Sequence, residues 1–165
     1  MLELGHLKHC DIHRLSLIHW PVVPQLTLAI QYGSQIDWSK IHFYWGDERC
    51  VAPTDEQSNY KMTVDHLFSK INAPKENIHR VLGENDPKGE AMRYANLLEI
   101  NLDRAEGVPQ FDLVLLGMGD DGHTASIFPD REDLWLTDKV CERVKHPESG
   151  QERVTITGPV LNSGK

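Results

Sequence analysis

The sequence lacks the features that mark membrane-spanning and secreted proteins. No window approaches the roughly 18 consecutive apolar residues that a membrane span needs, so we expect no membrane partner. The first ten residues carry Glu3, His6, Lys8 and His9 where a secretory signal has a basic region followed by an apolar one. We therefore expect a cytoplasmic location.

Positive charge is also scarce. Lysine and arginine total 17 against 25 aspartates and glutamates, which gives a net charge of -8. Binding to a phosphate backbone requires clustered lysine and arginine, so we do not expect nucleic acid as a partner. An anionic metabolite can still bind where a local positive group or a helix N-terminus faces the site.

Cysteine is sparse, and its spacing indicates neither a disulfide framework nor a zinc site. Cys10, Cys50 and Cys141 are an odd number of widely separated residues, which is typical of reduced thiols. Histidine is frequent, with nine residues, and four of them lie in the first twenty positions. Their spacing fits no familiar metal motif, so we expect no metal site from His6, His9, His13 and His19.

The pattern of apolar residues predicts one domain in which strands alternate with helices. A length of 165 residues suits one sizeable core. Residues 1–35 show no helical or strand period. We predict strands at 41–45, 77–82, 111–116, 140–144 and 154–157, a polar loop at 47–57, and helices at 58–70 and 86–105, the second ended by Gly107 and Pro109. This order indicates an α/β fold with a mainly parallel sheet flanked by helices.

A glycine-rich turn follows the most apolar of these strands. The run at 111–116 predicts a strand covered on both faces, and it leads into Gly117-x-Gly119-x-x-Gly122-His123. Ligands of open α/β sheets bind beyond the carboxyl ends of the strands, where glycines allow close backbone approach. His123 can exchange a proton near neutral pH, which suits general acid–base catalysis. A histidine that only caps a turn is the alternative.

The same glycines match the dinucleotide-binding pattern, which is a weak signal alone. Pro129 would interrupt the long helix that should follow. The acid expected on the ribose would have to be Asp138 or Glu142, where no strand clearly ends. Dinucleotide binding therefore stays a minor alternative.

A second polar segment follows the strand at 41–45. Asp47 and Glu48 supply carboxylates, and Arg49 supplies a permanently charged fork suited to phosphate or an oxyanion. Ser58 and Asn59 add a hydroxyl and an amide. Each set also has an alternative without a catalytic or binding role. Asp47, Glu48 and Arg49 could form a solvated turn, and Ser58 and Asn59 could belong to an ordinary helix N-terminus.

Taken together, the segments 45–51, 55–60 and 111–129 closely resemble the 6-phosphogluconolactonases. Positions 77–80, 152–157 and 159–162 are similar to the family as well, so the resemblance covers 36–163 while 1–35 diverge. It implies one Rossmann-like layered domain over 1–165. It also implies hydrolysis of 6-phospho-glucono-1,5-lactone to 6-phosphogluconate in the oxidative pentose phosphate pathway, with no cofactor.

The resemblance assigns roles to individual residues. His123 would act as general base on water and then as proton donor, Asp47 would orient the site or His123, and Arg49 would stabilise negative charge. The substrate-binding residues implied are Gly117, Gly119, Asp121, Gly122, Ser58, Asn59 and Arg153. The related glucosamine-6-phosphate deaminases fit less well, because Ile127-Phe128-Pro129 stands where they carry Asn-Glu-Pro.

Two departures from the family keep several functions open. The family's glycine-rich phosphate loop is replaced by the segment 16–24, and no glycine lies between Gly5 and Gly33, so these residues cannot form that phosphate nest. The family also continues beyond Lys165, so we expect an incomplete fold with an exposed sheet edge. An active lactonase, an impaired lactonase-like fragment and a non-catalytic sugar-phosphate-binding module are the three alternatives.

Overall fold

Two sheets, one hairpin and three α-helices make up the part of the chain that the computed structural model describes, residues 13–17 and 33–165. The strands are β1 His13–Leu17, β2 Ile41–Trp45, β3 Asp47–Arg49, β4 Ile78–His79, β5 Asp103–Ala105, β6 Val108–Gln110, β7 Leu113–Leu115, β8 Cys141–Lys145 and β9 Glu152–Ile156. The helices are α1 Asn59–Thr63, α2 Pro87–Asn101 and α3 Gly158–Leu161, with a π-helical turn at Val64–Phe68 and short 3-10 turns at Gly33–Gln35, Trp38–Lys40, Lys75–Asn77 and Glu132–Trp135.

The first sheet is parallel throughout, which confirms the predicted α/β architecture. Its strand order is β4-β2-β1-β7. β1 lies inside this sheet, so the prediction that 1–35 are irregular is wrong for His13–Leu17. Five residues are too few to show a period, and the strand is defined by hydrogen bonds to β2 and β7, which are distant in sequence.

The second sheet is antiparallel, in the order β3-β9-β8. The chain passes from β2 into β3 through Gly46, whose carbonyl accepts a hydrogen bond from Ile156 at 2.8 Å. The predicted loop at 47–57 is therefore wrong for its first three residues. The charged residues 47–49 show no apolar alternation that would predict a strand, because this strand is formed by its pairing with β9. The strands predicted at 140–144 and 154–157 are confirmed as β8 and β9.

Helix α2 begins as predicted and ends earlier. The Asp86 carboxylate accepts the Gly89 N–H as the N-cap, and Pro87 occupies the first helical position. The helix ends at Asn101, and the prediction that it reaches 105 is wrong. Glu106 and Gly107, with φ of 51° and 89°, instead turn the hairpin between β5 and β6.

Helix α1 confirms Ser58 as its N-cap, because the Ser58 hydroxyl accepts the Lys61 N–H. Helical structure continues through the π-helical turn, close to the predicted end at 70. The strand predicted at 77–82 is shorter in the structure and comprises only β4.

The core lies between the sheets and α2, which packs against β8 and β9. Its largest buried side chains are Trp45, Tyr44, Tyr94, Phe43, Phe111 and Phe128. The prediction that the strand at 111–116 is covered on both faces is wrong. β7 is an edge strand among the described residues, and the side chains of Leu113 and Leu116 are exposed. No helix in residues 13–17 and 33–165 is long and apolar enough to span a membrane.

Candidate functional site

Asp47, at the start of β3, joins the two segments that carry the candidate site residues. Its carboxylate is fully buried. One oxygen accepts the Ser126 hydroxyl at 2.7 Å, and the other accepts the Asn59 side-chain amide at 3.1 Å. Ser126 follows His123 by three residues, so this contact ties the 45–51 segment to the glycine-rich turn.

Glu48 organises the helix that follows. Its buried carboxylate accepts the backbone N–H groups of Asn59 at 2.7 Å, Tyr60 at 2.8 Å and Arg49 at 2.8 Å, and the Ser58 hydroxyl at 3.0 Å. Burial raises the pKa of Glu48, and the three backbone N–H donors partly offset that rise. Ser58 and Asn59 are themselves buried. In this structure they hold α1 and the carboxylates in place.

The glycine-rich turn is held together by its own backbone. The Gly119 N–H donates to the His123 carbonyl at 2.8 Å, and the Gly122 N–H donates to the Gly119 carbonyl at 2.9 Å. The Thr124 hydroxyl donates to the Gly117 carbonyl at 2.8 Å. Gly122 has a φ of +87°, in the region that favours glycine. The N–H groups of Gly119 and Gly122 thus shape the turn that carries His123.

Asp121 holds the imidazole of His123. Its Oδ1 lies 2.5 Å from Nδ1 of the ring and 3.1 Å from the His123 backbone N–H. These two hydrogen bonds, the backbone one first, lower the pKa of Asp121 and keep it ionised. An ionised carboxylate only accepts hydrogen bonds, so Nδ1 is the donor in this pair, and in the neutral imidazole Nε2 is the acceptor. No residue in the described part of the chain hydrogen-bonds Nε2. The ring is held by Asp121, whereas Asp47 serves the surrounding site.

Arg153 provides a buried positive charge. It is 7% exposed and lies on β9 directly opposite Arg49 on β3. Its Nη1 is 3.9 Å from the Asp47 carboxylate, and its Nε has no hydrogen-bond partner among the described residues. Burial lowers the pKa of Arg153, Asp47 counteracts this effect, and Arg49 adds to it. The Arg49 and Arg153 guanidinium groups thus lie near two buried carboxylates, Asp47 and Glu48.

His123 and Arg153 both pack against the ring of Phe128. The ring of His123 lies 4.8 Å from the Phe128 ring between centroids, and the Arg153 guanidinium lies 5.5 Å from the same ring. The cation on the aromatic face is a favourable contact in itself. The buried Phe128 ring thus fixes the positions of the imidazole and the guanidinium relative to each other.

The backbone of Arg49 belongs to β3, and its guanidinium contacts the loop that follows this strand. Its Nη1 donates to the Gln57 carbonyl at 2.6 Å. With Ser58 it lines a cleft of about 240 Å³, and His123 does not line that cleft. The neighbouring Cys50 is a poor nucleophile, because burial, with Glu152 and Glu48 nearby, raises its thiol pKa to about 11.

In the sequence, Ser126 and Phe128 lie inside the motifs with no predicted role, and Glu48 is predicted only to supply a carboxylate. Their signal was adjacency to motif residues, and their function depends on contacts across the fold. Among the described residues, no three histidine, cysteine, aspartate or glutamate side chains gather as a metal site. The part of the replaced phosphate loop at 18–24 and most of the N-terminal histidine cluster lie outside the described residues.

Comparison with known proteins identifies the family. The family model for glucosamine-6-phosphate isomerases/6-phosphogluconolactonase matches residues 22–165. A 6-phosphogluconolactonase of Treponema pallidum is 44% identical over 137 residues, which are 83% of this chain and 57% of that protein. One of Aggregatibacter actinomycetemcomitans is 42% identical over 164 residues, which are 99% of this chain and 67% of that protein. The chain belongs to this family, and it spans about three fifths to two thirds of these relatives' length.

Solved structures agree. A 6-phosphogluconolactonase from Thermotoga maritima has a TM-score of 0.82 at 29% identity, covering 97% of this chain and 70% of that one. A monomeric glucosamine-6-phosphate deaminase has a TM-score of 0.79 at 18% identity, covering 95% of this chain and 69% of that one, which shows a shared fold alone.

Proposed function

We propose that the chain carries the catalytic centre of a sugar-phosphate lactonase that hydrolyses 6-phospho-glucono-1,5-lactone to 6-phosphogluconate. The observation that carries this proposal is the Asp121–His123 pair, whose imidazole packs on the same Phe128 ring as the buried Arg153 guanidinium. A general base beside a cation is the arrangement that ester hydrolysis of an anionic substrate requires. The family membership and the names of the relatives support the same chemistry.

The reaction starts with water at the lactone carbonyl. Nε2 of His123 takes a proton from the water as its oxygen bonds to the carbonyl carbon, and the carbonyl oxygen becomes an oxyanion. When the tetrahedral intermediate collapses, the bond from that carbon to the ring oxygen breaks, and the proton on Nε2 passes to the ring oxygen. Asp121 stabilises the imidazolium formed in between. General acid–base catalysis of this kind contributes about 10²–10⁴-fold.

Arg153 and Arg49 are the proposed anion-binding residues. A guanidinium can pair with two phosphate oxygens at once, and its charge persists at any physiological pH. The Nε of Arg153, which has no hydrogen-bond partner in residues 13–17 and 33–165, is the donor that a bound phosphate would satisfy. Asp47 offsets one of the two positive charges and fixes Ser126, so its role is in organising the site.

The phosphate dependence of turnover tests this proposal. We expect the chain to hydrolyse the phosphorylated lactone above the spontaneous rate and to prefer it over unphosphorylated glucono-1,5-lactone. Arg153→Ala should raise KM about tenfold or more, since a charge-assisted hydrogen bond contributes about 1.5–3 kcal/mol. Arg143→Ala is the matched control, because Arg143 lies on the adjacent strand β8 and pairs with Glu152 at the surface.

The outcomes separate the open alternatives. Equal turnover of the phosphorylated and the unphosphorylated lactone would contradict the anion-binding role of Arg153 and Arg49. Binding of 6-phosphogluconate without any turnover would indicate a sugar-phosphate-binding module instead of an enzyme. For the whole protein we propose a cytoplasmic location, in keeping with the substrate.

A further inference from the structure

Glu90, in the first turn of α2, is a buried carboxylate that contacts neither His123 nor Arg153. It is 1% exposed. Its oxygens accept the Leu82 N–H at 2.7 Å and the Asn85 side-chain amide at 3.2 Å. Arg93 pairs with both oxygens, at 2.6 and 2.8 Å, and also donates to the Arg80 carbonyl at 3.1 Å. Glu90 and Arg93 thus fasten the loop 80–85 to the helix.

This loop presses on the backbone of Arg49. A Cβ placed at Gly83 would lie 2.4 Å from the Arg49 carbonyl oxygen and 2.8 Å from that of Val51. Such distances are far inside van der Waals contact, so only glycine fits. The backbone between Leu82 and Glu84 therefore packs directly on the segment that ends β3.

The opposite side of the same segment is fixed by β9. Arg49 pairs with Arg153 in the sheet, and the Cys50 N–H donates to the Glu152 carbonyl at 2.9 Å. The backbone at Arg49 is consequently confined between β9 and the loop. Displacement of the loop would release one side of this clamp while leaving the sheet intact.

We propose that Glu90 is a positioning residue for Arg49: by holding the loop 80–85 against the Arg49 backbone, it sets the separation of the Arg49 and Arg153 guanidinium groups, and with it the affinity for the substrate anion. The inference rests on the proposed function for its consequence in catalysis. Its structural part, from Glu90 through Gly83 to Arg49, stands on the contacts alone.

The test begins with substrate affinity. Glu90→Ala frees the loop and Gly83→Ala pushes it away, so both should raise KM for the phosphorylated lactone about tenfold with kcat changed less than about threefold. Glu90→Gln keeps an oxygen for the Leu82 N–H and should show a smaller rise. Glu99→Ala is the control, because Glu99 lies on the same helix and pairs with Arg104 at the surface. Its KM should equal that of the unmodified chain.

A double-mutant cycle separates positioning from general stability. In an Arg49→Ala background, Glu90→Ala should raise KM no further, because the group that it positions is gone. Equal effects in both backgrounds would overturn the proposal.

Amide hydrogen exchange gives a reading that does not need turnover. Glu90→Ala should speed exchange at Val51, whose N–H donates to the Arg49 carbonyl at 2.8 Å, about tenfold relative to Glu99→Ala. Exchange at Cys50, whose N–H donates to Glu152 in the intact sheet, should stay unchanged. If the chain proves inactive yet exchange accelerates, the proposed function fails and the link from Glu90 to Arg49 stands. Unchanged exchange at Val51 would contradict the link itself.

Discussion

Gly119→Ala probes the pose of His123 most sharply. A Cβ at this position would lie 2.2 Å from Cε1 and 2.4 Å from Nδ1 of the His123 ring, and 3.0 Å from Oδ1 of Asp121. No backbone strain accompanies the change, because Gly119 is not among the glycines with positive φ. The added methyl therefore acts on one target: it displaces the imidazole and breaks its hydrogen bond to Asp121.

The expected effects on rate and stability differ greatly. His123 is partly exposed and can swing outward, so overpacking should cost about 1–3 kcal/mol of stability at most. Loss of general base catalysis should lower kcat about 10²–10⁴-fold. KM should change little, because Arg49 and Arg153 are untouched.

The assay is hydrolysis of the phosphorylated lactone, corrected for the spontaneous rate, with thermal unfolding measured alongside. Gly89→Ala is the control. A Cβ there would lie 3.3 Å from the exposed Asp86 carboxylate at the start of α2, and the change should leave kcat unchanged. A folded Gly119→Ala variant with normal kcat would refute the assignment of His123 in this pose as the base.

Three further predictions follow from the structure. Asp121→Asn should lower kcat about tenfold with little change in KM, because the imidazolium loses its counter-charge. Steady-state kinetics would measure both constants, and a rise in KM with unchanged kcat would contradict this prediction. Tyr94→Phe should reduce the free energy of unfolding in urea by about 1–3 kcal/mol, since the buried Tyr94 hydroxyl accepts the Trp45 N–H at 2.8 Å and donates to its carbonyl at 2.9 Å; a loss below 0.5 kcal/mol would contradict this. Burial first, and then the neighbouring His42, lower the pKa of His79 from 6.5 to about 4, so the unfolded chain takes up a proton first as the pH falls. Stability is intact above pH 6.5 and falls between pH 6.5 and 4, by about 1–2 kcal/mol once solvent screening is counted; thermal unfolding across this range should show a flatter profile for His79→Gln.

Local sequence signals were enough for elements that local chemistry defines. The N-caps Ser58 and Asp86 and the apolar run of β2 specify their own helix starts and strand without help from distant residues. β1, β3 and the hairpin that replaces the end of the predicted helix depend on partners far along the chain. The physical reason is that a short strand is stabilised by its neighbour's hydrogen bonds, which no periodicity encodes.

The candidate site shows the same division. The motifs identified His123, Asp47, Arg49 and Arg153 as chemistry-bearing groups. Residue type could not show that Asp121, two positions before His123, holds its ring while Asp47 binds Ser126. Nor could it show that Arg153 faces Arg49, because that register belongs to the β3–β9 pairing.

One measurement tests the central claim, that His123 in its pair with Asp121 is the base of a lactonase. Hydrolysis of 6-phospho-glucono-1,5-lactone should be followed for the chain and for His123→Ala, each corrected for spontaneous hydrolysis in buffer. We expect turnover by the chain and a kcat about 10²–10⁴-fold lower for the variant. Turnover that survives His123→Ala unchanged, or no turnover by either protein, would contradict it.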